Sequence, residues 1–378
     1  MSPMITDNPT TPLAIPEPKS MTVDPPRRAE ALSPNAHDRW AQGAARFVSI
    51  IRRFVENDLP VQMCLPAFPW KSANKVYKVL GVLPDKAEEV ALKRMNTICE
   101  EMGRVYKPGA ELLVISDGLV YNDLLTIPDR DVWAYGEGLR AMAVEKECTH
   151  LRFSRLKDLV HMPGLPDPLE EITYVANASN FRRALLNQFE KSDLNVTKEI
   201  AEKEDTRLTY YGYTRFLEND LRHIFERGEN RSGMKYRKDV KYLAKQMIAR
   251  GYAFGAAVKH NFPDYLRLSI HQSTGEHKVS ISLLPTRTSY TTPWHCSVAF
   301  LADGSLISRP KGEFEDDPRY ELNKQIRIYN TLYRIPCENL PDLRRAVATT
   351  RSGSTPGAVD GSLIITVVEA KSSGLEVA

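Results

Sequence analysis

An apolar run over 111–116, ELLVIS, is bounded by turn signals and lies between two segments of helical period, and this order narrows the folds open to the chain. On the near side, Pro84-Asp85 opens a helix. Asp85 and Glu88 have the spacing of a capping box, and Ala87, Val90, Ala91, Met95, Ile98, Met102 and Val105 form one apolar face. Pro108-Gly109 ends that helix, and Pro128-Asp129 starts another that runs to Glu145. A short, continuously apolar segment between helices is the pattern of a buried parallel strand. The expected fold is therefore α/β: a Rossmann-like sheet flanked by helices. Ligands of open α/β sheets sit beyond the carboxyl ends of the strands. That rule singles out Asp117, with Asn122 and Asp123 just after it. A carboxylate there can bind or deprotonate an amine; equally, Asp117-Gly118 reads as an ordinary turn.

Around this unit the chain divides further. Residues 1–35 are rich in proline, serine and threonine and are expected to form a disordered tail. A helical stripe over 35–54 carries Trp40, Ala44, Phe47, Ile51 and Phe54. A loop is expected over 59–70. In Phe68-Pro69-Trp70-Lys71-Ser72, two rings bracket a proline and project a cation and a hydroxyl. The segment suits a pocket wall that stacks a substrate and offers Lys71 to an anion; it also suits an anchored loop with a solvated lysine. Residues 150–250 read as a helical insertion, with helices over 178–190, 208–226 and 237–250 and a stop at Gly251. Their many charges suggest solvated faces. Strands are expected over 253–259, 296–301 and 305–309, the last two forming a hairpin through Asp303-Gly304. A single domain over 36–350 and a C-terminal tail over 351–378 complete the expected organisation.

The stretch over 265–295 carries an unusual polar face. Leu266, Leu268 and Ile270 alternate with Arg267, Ser269 and His271; after Thr274-Gly275, Lys278, Ser280 and Ser282 alternate with Val279, Ile281 and Leu283. Paired as an antiparallel hairpin, the two runs gather Arg267, His271, Lys278 and several hydroxyls on one surface. Such a surface fits a phosphorylated small molecule, and it also fits the solvent side of a sheet. Thr292-Pro293-Trp294-His295 follows, with an imidazole available for acid–base work or for packing.

Composition excludes several classes. A net charge of +3, with cations dispersed among carboxylates, argues against a nucleic-acid surface. No stretch approaches the roughly 18 apolar residues of a membrane span, and the N-terminus lacks a signal-peptide core. Five widely spaced cysteines fit reduced thiols in a cytoplasmic protein. There is no G-x-G-x-x-G, P-loop, G-x-S-x-G, H-E-x-x-H or H-x-D pair, so neither a dinucleotide nor a metal is indicated.

Taken together, FPWKSANKVYKVLGVLPDKAEEVAL from Phe68, SDGLVYNDLLTIPDRDVWAYGEGLR from Ser116, RLSIHQSTGEHKVSISLLP from Arg267 and TPWH from Thr292 resemble the pyoverdine/dityrosine biosynthesis family, the isocyanide (isonitrile) synthases, in a fungal single-domain form. The resemblance covers residues 66–310. It implies that the amine of an L-amino acid condenses with the ketone of ribulose 5-phosphate, a co-substrate whose C2 becomes the isonitrile carbon, with no metal or organic cofactor. It further implies a secondary-metabolite pathway in which an oxygenase can act on the product. Under that reading Lys71, Asp117, His271 and His295 are the expected catalytic residues. Trp70, Ser72, Asn122, Asp123, Arg267, Ser269, Ser273, Lys278 and Trp294 are the expected substrate-binding residues. Two other readings stay open: an N-formyl-tyrosine-forming enzyme of the dityrosine type, and a non-catalytic sugar-phosphate-binding regulator.

Overall fold

The structure is a computed structural model, and it describes residues 39–331 apart from 224–231, 287, 302 and 325–326. The expected tails over 1–35 and 351–378, and Cys337, lie outside the described residues. In chain order the elements are α1 (Arg39–Glu56), β1 (Val61–Pro66), α2 (Lys86–Val105), β2 (Ala110–Ile115), α3 (Gly118–Tyr121), α4 (Asp129–Glu145) and β3 (Leu151–Ser154). A helical block follows: α5 (Glu171–Phe189), α6 (Val196–Glu202), α7 (Glu204–Asp220) and α8 (Gly233–Asn261). The chain then forms β4 (Leu266–Ser269), β5 (Val279–Ser280), β6 (Ser297–Phe300), β7 (Leu306–Arg309), α9 (Lys311–Glu315), β8 (Tyr320–Asn323) and β9 (Ile328–Thr331).

β1 to β5 form a parallel sheet in the order β3-β2-β1-β4-β5. The order reverses beside β1, so a crevice opens past the carboxyl ends of β1, β2 and β4. Alternation along β1 divides the core. Val61, Met63 and Leu65 pack with α1, α2 and α4 on one face, while Cys64 joins α3, α5, α7 and α8 on the other. Both faces are covered, which is why β2 reads as unbroken apolar sequence. The capping box is present, with Asp85 accepting from Ala87 N and Glu88 accepting from Asp85 N. The expected hairpin over 296–309 is the antiparallel pair β6–β7, which belongs to a second sheet in the order β7-β6-β9-β8.

Three expectations are corrected. β1 was expected to be loop; it is the central strand, and Pro60 and Pro66 at its two ends hid it. The expected strand over 253–259 is the last part of α8. Ala253, Phe254, Ala257 and Val258 recur at helical spacing and bury together, so the helix runs on through Gly251, where the Tyr121 hydroxyl lies 3.1 Å from the place a Cβ would take. The polar hairpin is not antiparallel either. β4 and β5 run parallel, Leu268 beside Val279 and Ser269 beside Ser280. The intervening loop is folded back by its own serines. Ser269 Oγ donates to His271 O and accepts from His271 N, while Ser273 Oγ donates to Lys278 O and bonds Ser280 Oγ.

Candidate active site

A cavity of about 250 Å³ opens beyond the carboxyl ends of the parallel strands. β1 leads into Pro69 and Trp70, β2 into Asp117, and β4 into Ile270 and His271; the turn after Thr292 adds Trp294 and His295. α7 closes the other side with Gly212, Tyr213, Phe216 and Asn219, residues that recur along one helical face. The structure thus brings Trp70, Asp117, His271, Trp294 and His295 to one cavity. The two tryptophans are almost wholly buried walls, and Trp294 packs on Phe68 with ring centroids 5.0 Å apart.

Asp117 is half-buried at the head of α3, and its Oδ1 atom is buried without a hydrogen-bond partner among the described residues. Burial pushes its carboxyl up to about 7, against the opposing pull of Arg267. His271 stands edge-on to Tyr213, ring centroids 5.5 Å apart. Burial, then Lys278, then His295 drive its imidazole down to about 3, so it is neutral at physiological pH. His295 Nδ1 lies 3.5 Å from Asp220 Oδ2, and its ring rests on Phe216 at 4.7 Å.

Arg267 and Lys278 stand behind the cavity wall. The Arg267 guanidinium contacts Cys64 Sγ at 3.9 Å and acts electrostatically on Asp117 and Tyr121. Lys278 is half-buried, and burial lowers its ammonium while Asp205 supports it. Among the described residues neither cation forms an ion pair with a carboxylate, and neither is part of the cavity lining itself. The α7 carboxylate of Asp205 also accepts from Thr274 N at 2.6 Å, tying the loop that carries His271 and Lys278 to the helix.

Other expected site residues serve elsewhere. Lys71, expected at a substrate anion, has no exposed side-chain surface; its ammonium pairs with Asp85 at 3.0 Å and Glu88 at 2.7 Å and donates to Pro293 O at 3.1 Å. Ser72 is buried and donates to Asp220 Oδ2 at 2.7 Å. Asn122 donates to Ile127 O and Asp129, and accepts from Arg182. Asp123 pairs with Arg250 at 2.5 Å on the protein's flank. The Ser269 and Ser273 hydroxyls are spent within the folded-back loop. Lys78, Tyr121, Tyr213 and Asn219 are among the cavity residues that had not been singled out. Nor had Asp220, which lies behind them. The available signal was in α7, where Asp220 continues the apolar stripe of Tyr213 and Leu217 at helical spacing and is itself buried.

Strands in this order, with an amphipathic cavity at their carboxyl ends, define an α/β protein with a chamber of small-molecule size at the sheet's switch point. The chain belongs to the pyoverdine/dityrosine biosynthesis family: residues 51–323 match that family, described as "Pyoverdine/dityrosine biosynthesis protein". It is 56% identical over 287 residues to the isocyanide synthase-NRPS hybrid crmA of Aspergillus fumigatus, covering 76% of this chain and 18% of that protein. It is 46% identical to isocyanide synthase xanB of the same fungus, over 71% of this chain and 36% of xanB. The chain therefore spans well under half the length of these two curated relatives. An L-tyrosine isonitrile synthase of Pseudomonas aeruginosa is 34% identical over 65% of this chain and 71% of its own. The crystal structure of the PvcA protein from Pseudomonas aeruginosa superposes with a TM-score of 0.67 at 30% identity, covering 78% of this chain and 93% of that one. No helix among the described residues is long and apolar enough to cross a membrane.

Proposed function

We propose that this protein is an isonitrile synthase, converting the amino group of an L-amino acid into an isonitrile with ribulose 5-phosphate as carbon donor. The observation that carries the reading is the Oδ1 of Asp117, without a hydrogen-bond partner among the described residues, in a cavity behind whose wall stand two cations that form no ion pair with a carboxylate among the described residues. A carboxylate seeking a donor suits the substrate ammonium, and Arg267 with Lys278 suits a sugar phosphate. A cationic ammonium group and an anionic phosphate group are thereby drawn to one chamber, where proximity alone favours condensation of the molecules that carry them. The relatives named as isocyanide and isonitrile synthases support the same chemistry.

In this reading Asp117 receives the ammonium and takes one of its protons, freeing the amine to attack the sugar ketone. The substrate nitrogen itself becomes the imine nitrogen, so no lysine nucleophile is needed. Departure of hydroxide from the carbinolamine requires an acid, and later bond cleavages require proton transfers at sugar carbons. His295 is assigned to those transfers, and neutral His271 to a hydrogen bond with the sugar. Trp70, Trp294, Tyr213 and Phe216 exclude water around the condensing groups. The test is incubation with ribulose 5-phosphate and a panel of L-amino acids, followed by mass spectrometry and an isonitrile-trapping reagent. Consumption of an amino acid with a trapped isonitrile is expected. No consumption across the panel overturns the proposal, and a product heavier by one water identifies a formamide-forming enzyme instead.

A further inference from the structure

We propose that Asp220 is a positioning residue for His295, the two forming a carboxylate–imidazole dyad whose carboxylate is itself fixed by Lys78 and Ser72. Asp220 ends α7 and is 1% exposed. Its Oδ2 accepts from Ser72 Oγ at 2.7 Å and lies 3.5 Å from His295 Nδ1, while Oδ1 forms an ion pair with Lys78. Both of these partners come from the segment after β1, so the carboxylate is held by groups other than the imidazole. Lys78 and His295 then outweigh the cost of burial and hold its carboxyl down to about 2, which keeps it an anion at working pH.

The imidazole is bracketed as closely. Phe216, one turn before Asp220 on α7, lies against the His295 ring, and Lys71 anchors the preceding turn through Pro293 O. His295 Nδ1 is buried with no hydrogen-bond partner among the described residues, yet the side chain is 18% exposed and lines the cavity. The ring therefore turns Nδ1 toward Asp220 and its opposite edge toward the substrate space. A proton on Nδ1 directed at the carboxylate leaves Nε2 with a lone pair facing the cavity. Nε2 can take a proton from a substrate, and the imidazolium so formed faces Asp220 until it returns the proton. Only a proton moves, and both charge states have a partner. A separation of 3.5 Å is longer than a hydrogen bond, as such contacts often are before substrate arrives.

The dyad rests on the proposed function only for its catalytic consequence, so one arm of the test needs no turnover. In the full chain labelled with ¹⁵N-histidine, long-range ¹⁵N–¹H correlation reports the tautomer of each of the eight histidines, with His295 assigned from its absence in His295→Gln. Neutral His295 is expected to carry its proton on Nδ1. In Asp220→Asn the amide oxygen stays with the Lys78 ammonium, which needs an acceptor, so the amide NH₂ faces His295 and the proton moves to Nε2. A wild-type proton on Nε2, or a tautomer unchanged in Asp220→Asn, overturns the dyad.

The second arm is kinetic. Asp220→Asn is expected to lower kcat roughly 10²- to 10⁴-fold with both KM values little changed. Ser72→Ala, which keeps the ion pair, is expected to lower it roughly tenfold or less. An unchanged kcat in Asp220→Asn overturns the inference. The acid limb of kcat should also shift to lower pH in Asp220→Asn, because the imidazole loses its anion while burial, Lys78 and Lys71 still disfavour its protonation. Should the wild type consume no amino acid, the functional reading fails while the tautomer still decides the dyad. Should Asp220→Asn not fold, the wild-type tautomer alone decides it.

Discussion

Lys71 Nζ lies 2.7 Å from Glu88 Oε2, and neither side chain has exposed surface. Asp85 completes the ion cluster, and the Tyr135 hydroxyl donates to Glu88 Oε1 at 3.0 Å. Burial drives the Glu88 carboxyl up to about 7 against the pull of Lys71, and the ammonium stays charged because two carboxylates offset its own burial. This lysine ties the N-terminus of α2 to the turn that presents His295. Its removal strands two buried acids, so Lys71→Met is expected to cost roughly 3–5 kcal/mol of stability, read from the denaturant midpoint. Pairing it with Glu88→Gln should recover part of the loss, because the two changes act on one cluster.

Asp117 gives the pH dependence its sign. Its carboxyl is near 7 in the folded chain and near 3.8 in an unfolded one, so the folded state holds a proton that the unfolded state gives up. The contribution to stability is fully present below the unfolded value and is lost as pH rises through about 7. Asp117→Asn should remove that share of the slope, leaving a flatter stability profile between about 4 and 7, measured by thermal unfolding across pH. Binding makes a matching statement. At pH 6 an ammonium arriving at a largely protonated Asp117 expels its proton, so calorimetry in buffers of different ionisation enthalpy should show proton release on binding an L-amino acid. The release should vanish in Asp117→Asn.

Much of this arrangement could be read locally. The Asp85–Glu88 cap, the apolar run of β2 and the aspartate at its carboxyl end follow from spacing alone, and they suffice for the fold class and one wall of the cavity. The rest depends on distance in sequence. Periodicity showed that 208–226 was helical, yet nothing in it said that Tyr213 and Phe216 would face Asp117 across a cleft. Lys71 looked available because the acids that claim it lie 14 and 17 positions further on. In the loop between β4 and β5, alternation suggested displayed hydroxyls, but a nine-residue return between parallel strands must satisfy its own backbone, and Ser269 and Ser273 do that work.

Gly118 tests how tightly the cavity floor is built. A Cβ at this position would stand 2.5 Å from Pro69 O and 2.5 Å from Val132 Cγ1, and backbone on that side cannot retreat without moving Trp70 or Asp117. Gly118→Ala is expected to cost roughly 1–3 kcal/mol and to weaken amino-acid binding. Gly255 in α8 is the contrast, with no atom of the described residues within 4 Å of its added Cβ beyond its own helical surroundings. There Ala should stabilise by about 0.4–1 kcal/mol and leave binding alone. Unfolding midpoints of the two variants, measured side by side, check both signs.

Arg267 and Lys278 should separate the two substrates. Each is a cation without a carboxylate of its own among the described residues, and each lies on the β4–β5 side of the cavity, whereas Asp117 follows β2. A charge-assisted hydrogen bond contributes roughly 1.5–3 kcal/mol, which is about a 10- to 150-fold change in an equilibrium constant. Arg267→Ala and Lys278→Ala are therefore expected to raise KM for ribulose 5-phosphate by about that factor and to change KM for the amino acid far less. Arg267→Lys should recover only part of the loss, since a single ammonium cannot reproduce a two-point contact with phosphate oxygens. Inorganic phosphate as a competitive inhibitor gives an independent readout: it should protect the wild type against thermal unfolding and fail to protect the alanine variants. Equal increases in both KM values would instead mean that these cations support the cavity as a whole rather than one ligand within it.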